Sequence, residues 1–155
     1  MEIKTQRLTL FTIDKKQFKQ LKKINVFKEP VNAKIVKEHL KRYRGHDYLM
    51  KWSLWVMKLN HSQEIIGELG FHGLPDENGC VDLAYTVYED YRKKGYAKEG
   101  VLALIDYVEK QEQVTNILAD CKKDNMGSIK VLTSCNFEWL CEKEGYFFYK
   151  KQLKY

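Results

Sequence analysis

Apolar positions along this chain fall into two periods, and each period predicts a different element. Residues 7–13 (R-L-T-L-F-T-I) read as a first strand. Asp14 followed by Gln17 is a capping box, and Phe18, Leu21 and Ile24 give the short amphipathic helix that it opens. Pro30 then interrupts the chain. Asn32 can cap a second helix with Ile35, Val36, His39, Leu40 and Tyr43 on one face. Residues 52–59 (W-S-L-W-V-M-K-L) are apolar on both faces, which predicts a central strand. A turn at Asn60–Gln63 leads to a strand over 64–72. Ile65, Leu69 and Phe71 are expected on one of its faces, Glu68 and His72 on the other. After the turn cluster Pro75–Gly79, Val81, Leu83, Tyr85 and Val87 alternate with Asp82, Ala84 and Thr86. The period then switches: Ala97, Val101, Leu104, Ile105 and Val108 mark one face of a helix. A strand over 115–121, a helix carrying Ile129, Val131 and Leu132, and strands over 137–142 and 146–153 complete the chain. The pattern is α+β, a mixed α/β chain of about seven strands, and no internal repeat or low-complexity linker divides it.

Composition narrows the class. At 155 residues a single domain over 1–155 is expected. The chain is 44% hydrophobic and 31% charged, which fits a packed core and excludes a disordered chain. No apolar run is long enough for a membrane span, so no membrane partner is expected. The start, Met-Glu-Ile-Lys-Thr, has no apolar stretch like that of a secretory signal, and a cytoplasmic location is expected. Cys80, Cys121, Cys135 and Cys141 show no C-x-x-C pairing and read as buried or half-buried thiols, and no metal site is expected. The net charge of +6 is spread along the chain and reads as a solvated surface, without a recognisable RNA-binding motif. Whether the chain forms a homodimer stays open.

The candidate chemistry lies where the two periods meet. Tyr91-Arg92-Lys93-Lys94-Gly95-Tyr96-Ala97 joins a strand to a helix. The first turn of a helix offers unpaired N–H groups and the positive end of a dipole. Gly95 permits close approach of a ligand, and three cations precede it. The turn is an anion site suited to a phosphate or pyrophosphate. Gly95 and Gly100 share the glycine spacing of a P-loop, but Val101-Leu102 stands where Lys-Ser/Thr would be, which excludes a nucleoside triphosphatase.

Arg92-x-x-Gly95-x-Ala97 resembles the pyrophosphate signature R/Q-x-x-G-x-G/A of the GNAT acetyl-CoA-dependent N-acetyltransferases, and the run from Val87 to Glu99 resembles its wider form. Glu89, Lys93 and Gly100 depart from it. About thirty residues on, Asn125, Ser128, Val131, Leu132 and Phe137 resemble the family's second signature, N-x-x-S-x-x-V-L-x-K-x-G-F. Thr5–Leu10 resembles the opening of the ribosomal-protein-alanine N-acetyltransferase branch, and Ile66–Gly70 with Val81–Tyr85 resembles the strands before the first signature.

The resemblance implies a GNAT fold: a central, mostly antiparallel twisted sheet flanked by helices, with two strands splayed to form an acetyl-CoA cleft. It implies acetyl-CoA as cosubstrate and an amine as acceptor. Backbone N–H groups of Thr86, Val87 and Tyr88 would bind the pantetheine arm, the one near Val87 polarising the thioester. Arg92, Lys93, Lys94, Gly95, Tyr96 and Ala97 would hold the diphosphate. Asn125 would bond the pantetheine amide, although it also reads as a plain helix cap. An attacking amine must lose a proton, and Glu68, Asp82 or water is the candidate base. Many of the family place a tyrosine where Leu132 stands, so Ser128 or water is the partner of the leaving thiolate. The alternative is a coenzyme-binding regulatory or interaction module without efficient catalysis.

Overall fold

A computed structural model of the chain describes residues 1–27, 30–111 and 113–153. Its framework is one eight-stranded sheet in the order β1-β2-β3-β4-β5-β6-β8-β7. The strands are β1 (Glu2–Lys4), β2 (Leu8–Thr12), β3 (Leu54–Leu59), β4 (Ile65–Phe71), β5 (Cys80–Val87), β6 (Asn116–Lys122), β7 (Glu138–Lys143) and β8 (Tyr146–Gln152). The helices are α1 (Lys15–Lys23), α2 (Pro30–Arg42), α3 (Tyr96–Val108) and α4 (Met126–Ser134). The sheet has one strand more than its sequence suggests. The addition is β1, three residues too short to show a period, which pairs with β2 from Glu2↔Phe11 to Lys4↔Thr9.

Each face of the sheet is covered differently. Trp55, Met57, Leu69, Phe71, Leu83 and Val87 point into a large core shared with Val101, Leu104 and Val108 of α3. Gly100 brings α3 close: a Cβ there would stand 3.1 Å from the Cδ1 of Leu69. The other face presents Leu54 and Val56 to Leu21 of α1 and Val36 of α2. This division explains why β3 is apolar on both sides. The strand itself begins only at Leu54, because Asp47–Trp52 forms a 3-10 helix.

Two local expectations change. The pairing of β3 with β4 shifts register after Met57↔Gly67, so that Lys58 faces Ile65. This irregularity turns Ile65 to the α1–α2 side, away from Leu69 and Phe71. Pro30 opens α2 rather than interrupting the chain, as suits a residue with no N–H to leave unpaired. Asn32 therefore lies inside the first turn and does not cap it. The capping box of α1 forms as its sequence indicates: Gln17 N donates to Asp14 Oδ1 at 2.7 Å, and Asp14 N donates to Gln17 Oε1 at 2.9 Å.

β5 and β6 are the only parallel neighbours among these strands, and they stay together briefly. Cys80↔Asn116, Val81↔Ile117 and Asp82↔Leu118 pair, and beyond them the strands part. Among the described residues no helix is long and apolar enough to cross a membrane. The four cysteines are free: Cys121 and Cys135 are buried, Cys80 is half-buried, and Cys141, unlike the expectation, is exposed on the outermost strand.

Candidate active site

The parting of β5 from β6 opens a cleft of about 870 Å³. Tyr85, Thr86 and Val87 line it from β5, Tyr91–Lys93 and Gly95–Lys98 from the turn and α3, and Asn125–Ser128 with Lys130 and Val131 from α4. Arg92, Lys93, Lys98 and Lys130 are in this lining and no carboxylate is, so the cleft favours a polyanion. The turn is shaped by backbone. Lys93 and Gly95 both take left-handed conformations, with φ of 60° and 81°. Gly95 stands at the N-cap of α3 with no side-chain cap, and the first intrahelical bond is Glu99 N to Gly95 O. The N–H groups of the first turn are thus left for a ligand.

The strand edge is more selective than its sequence suggests. Tyr88 N donates to Ile66 O at 2.8 Å, so that N–H belongs to the sheet and not to the gap. By alternation the N–H of Thr86 points the same way and that of Val87 the opposite way, into the gap. The carbonyl of Val87 accepts from Arg92 Nε at 2.9 Å. Of the three N–H groups expected to face the gap, only that of Val87 does; Thr86 contributes other atoms to the lining, and the N–H of Tyr88 faces β4. Lys94 also leaves the cleft lining. Its Nζ donates to Asp90 O at 3.1 Å and lies 5.6 Å from the Tyr91 ring centroid.

Behind the turn stands Arg7, whose role the sequence did not reveal. Its Nη1 donates to Lys94 O at 2.9 Å, its Nε pairs with Glu99 at 2.6 Å, and its guanidinium lies 4.5 Å from the Tyr96 ring centroid. Glu99 also accepts from Thr5 Oγ1 at 2.6 Å and from Arg7 N at 2.9 Å. Burial pushes the Glu99 carboxyl up, but these three donors and the Arg7 charge together hold it below its usual range. The resemblance of Thr5–Leu10 to a family opening was the only sequence signal for this clasp.

On the far side, Asn125 caps α4 by accepting from Ser128 N at 3.1 Å. The plain reading of Asn125 is therefore fulfilled, while the residue still lines the cleft. Tyr85, also missed, reaches across from β5 and donates its hydroxyl to Ser128 O at 3.3 Å. Burial, ahead of smaller effects, pushes its phenol well up, so it keeps its proton.

The two candidate bases separate. Glu68 is 1% exposed and sits directly opposite Thr86 on the α1–α2 side of the sheet. Asn32 Nδ2 donates to its Oε2 at 2.5 Å, and the Tyr88 hydroxyl lies 3.0 Å from its Oε1. The same hydroxyl reaches Val26 O at 2.5 Å. Burial, then the Glu68 charge, pushes the Tyr88 phenol up. Asp82 is exposed and lies in the paired segment of β5, before the gap opens. His39, as expected of a core-edge residue, is buried with Nδ1 2.8 Å from Ser53 Oγ. Among the described residues no cluster of three His, Cys, Asp or Glu could hold a metal.

Known proteins resemble this chain in sequence and in fold. The model of the acetyltransferase (GNAT) domain matches residues 7–138. The chain is 37% identical over 83 residues to the uncharacterized N-acetyltransferase YjdG of Bacillus subtilis (strain 168), an alignment covering 54% of this chain and 49% of that protein. It is 34% identical over 87 residues to the uncharacterized N-acetyltransferase p20 of Bacillus licheniformis, covering 56% and 47%. The chain thus spans about half the length of the curated relatives it matches. Its fold is similar to that of the ribosomal L7/L12 alpha-N-protein acetyltransferase RimL in complex with coenzyme A, with a TM-score of 0.73, 17% identity and coverage of 99% and 98% of the two chains. It is also similar to that of the microcin C7 self-immunity acetyltransferase MccE in complex with acetyl-CoA and AMP, with a TM-score of 0.71, 16% identity and coverage of 96% and 95%.

Proposed function

Because the chain belongs to the GNAT acetyltransferase family, we propose that it moves an acetyl group from acetyl-CoA to a primary amine by direct attack in a ternary complex. The observation that carries this reading is the gap between β5 and β6, with the N–H of Val87 turned into it and a cationic helix start at its end. Arg92, Lys93, Lys98 and the open N–H groups of the α3 first turn would hold the diphosphate. The N–H of Val87 would stabilise the oxyanion as the amine adds to the thioester carbonyl; one such donor is worth roughly 3 kcal/mol at the transition state.

Glu68 is our choice of base, because it lies directly opposite Thr86, a residue of the cleft lining, and on the same side of the sheet. It accepts the proton that the ammonium must lose, directly or through one water. As the C–S bond breaks, Ser128 would donate a hydrogen bond to the departing thiolate, which takes its proton from water; water alone is the competing partner. Tight coenzyme binding without turnover would instead mark a binding module. Incubation with radiolabelled acetyl-CoA and a panel of peptide, amino-acid and polyamine acceptors tests the proposal. Labelled product is expected, and a calorimetric titration that detects no coenzyme binding would sink it.

A further inference from the structure

The open sheet has two edges, and the chain guards only one of them. A strand at an edge presents unpaired N–H and C=O groups, a template for pairing with another chain. One edge is β1, three residues long, with Glu2 and Lys4 paired to each other at 3.4 Å. A strand so short and charged makes a poor template. The other edge is β7, six residues long and exposed at every one of them. Its middle reads Trp139-Leu140-Cys141, and among the described residues no strand lies on its outer side. Trp139 is 57% exposed and Leu140 49%. The indole meets the Phe147 ring of β8 edge-on at 6.3 Å, on the face that Tyr149 shares with the core.

The charges of β7 lie toward its ends, and a bulge sets their faces. Trp139 pairs with Tyr149 and Cys141 with Phe148, so Leu140 is an extra residue in the strand. Without it, Glu138 and Lys143 would point to opposite faces of the sheet. With it, Glu138 opposite Lys150 and Lys143 opposite Tyr146 share one face, while Trp139 and Glu142 share the other. A strand with this pattern complements itself. Turned about a two-fold axis at its middle, a second β7 runs antiparallel to the first. Glu138 then faces the partner's Lys143, and Trp139 faces the partner's Glu142. Leu140 and Cys141 of the two copies meet at the axis, and no like charges face each other. A shift by one residue in either direction would set Glu138 against the partner's Glu142 or the partner's Glu144, so the charges select one register.

We propose that β7 pairs antiparallel with β7 of a second copy of this chain, joining the two sheets into one across a two-fold axis. The occupant is a second copy because the strand carries its own complement, charge for charge. The interface is narrow. Six residues of strand span about 20 Å, less than a standard interface needs, which sets a dissociation constant of about 10 µM. No residue of β7 lines the cleft between β5 and β6, so the pairing leaves that cleft open. The inference therefore stands apart from the transferase reading.

Sedimentation equilibrium of the unmodified chain tests this, from about 1 µM to about 200 µM. A monomer–dimer equilibrium centred near ~10 µM is expected. Leu140→Lys sets two ammonium groups at the axis and should weaken association at least about tenfold, with the circular dichroism unchanged. Glu138→Lys or Lys143→Glu alone places like charges across the axis twice and should weaken it about fivefold. The double variant Glu138→Lys/Lys143→Glu exchanges the pair and should restore the original constant. A chain that stays monomeric over the whole range would overturn the proposal and leave the edge to a strand of another protein. A dimer that Leu140→Lys leaves intact, or a charge exchange that restores nothing, would overturn it too, since the contact would then lie on another face or in another register.

Discussion

The two sides of this molecule are built by different means. The proposed coenzyme side is made of backbone: a strand edge with one N–H turned outward at Val87, two left-handed residues, and an uncapped helix start at Gly95. Its parts lie close in sequence. The proposed acceptor side is made of side chains that meet from distant segments, Asn32 and Tyr88 on Glu68, with Val26 behind. Backbone geometry tolerates most side chains, so a family can vary around it and still bind one coenzyme. A side-chain network sets identity, and each chain can assemble its own.

The largest effect should come from spoiling the backbone. Gly95 has φ of 81°, and a Cβ there would sit 3.3 Å from the Nη2 of Arg7. Gly95→Glu adds strain, crowds the guanidinium and puts a negative charge beside the diphosphate. Acetyl-CoA affinity should fall at least about a hundredfold, more than ~2.7 kcal/mol, with the fold retained by circular dichroism. Calorimetry that finds the affinity unchanged in a folded variant would remove the turn from the binding site.

A side-chain change on the other half should leave binding intact and strike turnover. Glu68→Gln keeps the shape of the carboxylate and its place beside Asn32 and Tyr88, but it cannot take a proton. The expected outcome is a fall in kcat of about a hundredfold, with acetyl-CoA affinity preserved. Asp82→Asn, on an exposed position of the paired segment, should alter neither. If Asp82→Asn lost turnover and Glu68→Gln did not, the base would be misassigned.

This contrast also decides what could be read before any coordinates. The turn from Tyr91 to Ala97 and the helix from Asn125 were legible because their conformations are local: glycine, cap residues and the change of period lie within a few positions. The direction of the Val87 N–H was not, since it depends on which neighbour takes the Tyr88 N–H. Glu68 and Asp82 looked alike as strand carboxylates. Only the covering helices, which bury one and leave the other exposed, tell them apart. The Arg7–Glu99 clasp joins residues ninety-two positions apart, and no period or spacing encodes such a pair. The bulge that turns Ile65 over is likewise a property of two strands and not of one.

Arg7 offers an intermediate effect, because it supports the coenzyme turn without lining the cleft itself. Removing its bonds to Lys94 O and Glu99 should let the turn sample other conformations. For Arg7→Ala, acetyl-CoA affinity should weaken about tenfold, near 1.4 kcal/mol, the size of one charge-assisted hydrogen bond. Arg7→Lys should recover little of this, since an ammonium cannot reproduce the planar fork. KM for acetyl-CoA should rise while KM for the acceptor stays. A rise in both would mean that the clasp holds the whole fold and not the turn alone.

The smallest effect separates the halves by pH. On the acceptor side, burial and then the charges of Arg42 and His72 hold His39 below its usual value of 6.5, against a weaker pull from Glu38. The unfolded chain then binds the proton first. Stability is full above about pH 6.5 and declines as pH falls from there toward the folded value. On the coenzyme side the sign is opposite. Glu99 is held below its usual 4.5 despite burial, so its contribution is present above pH 4.5 and is lost only as pH falls through the lower, folded value. Between pH 6.5 and 4.5 only the α2 side should weaken. Hydrogen exchange, corrected for the intrinsic effect of pH, should show protection lost in α2 while the first turn of α3 holds. His39→Gln should remove that pH slope. Loss of protection in both helices at one pH would mean that the two halves unfold as a single unit.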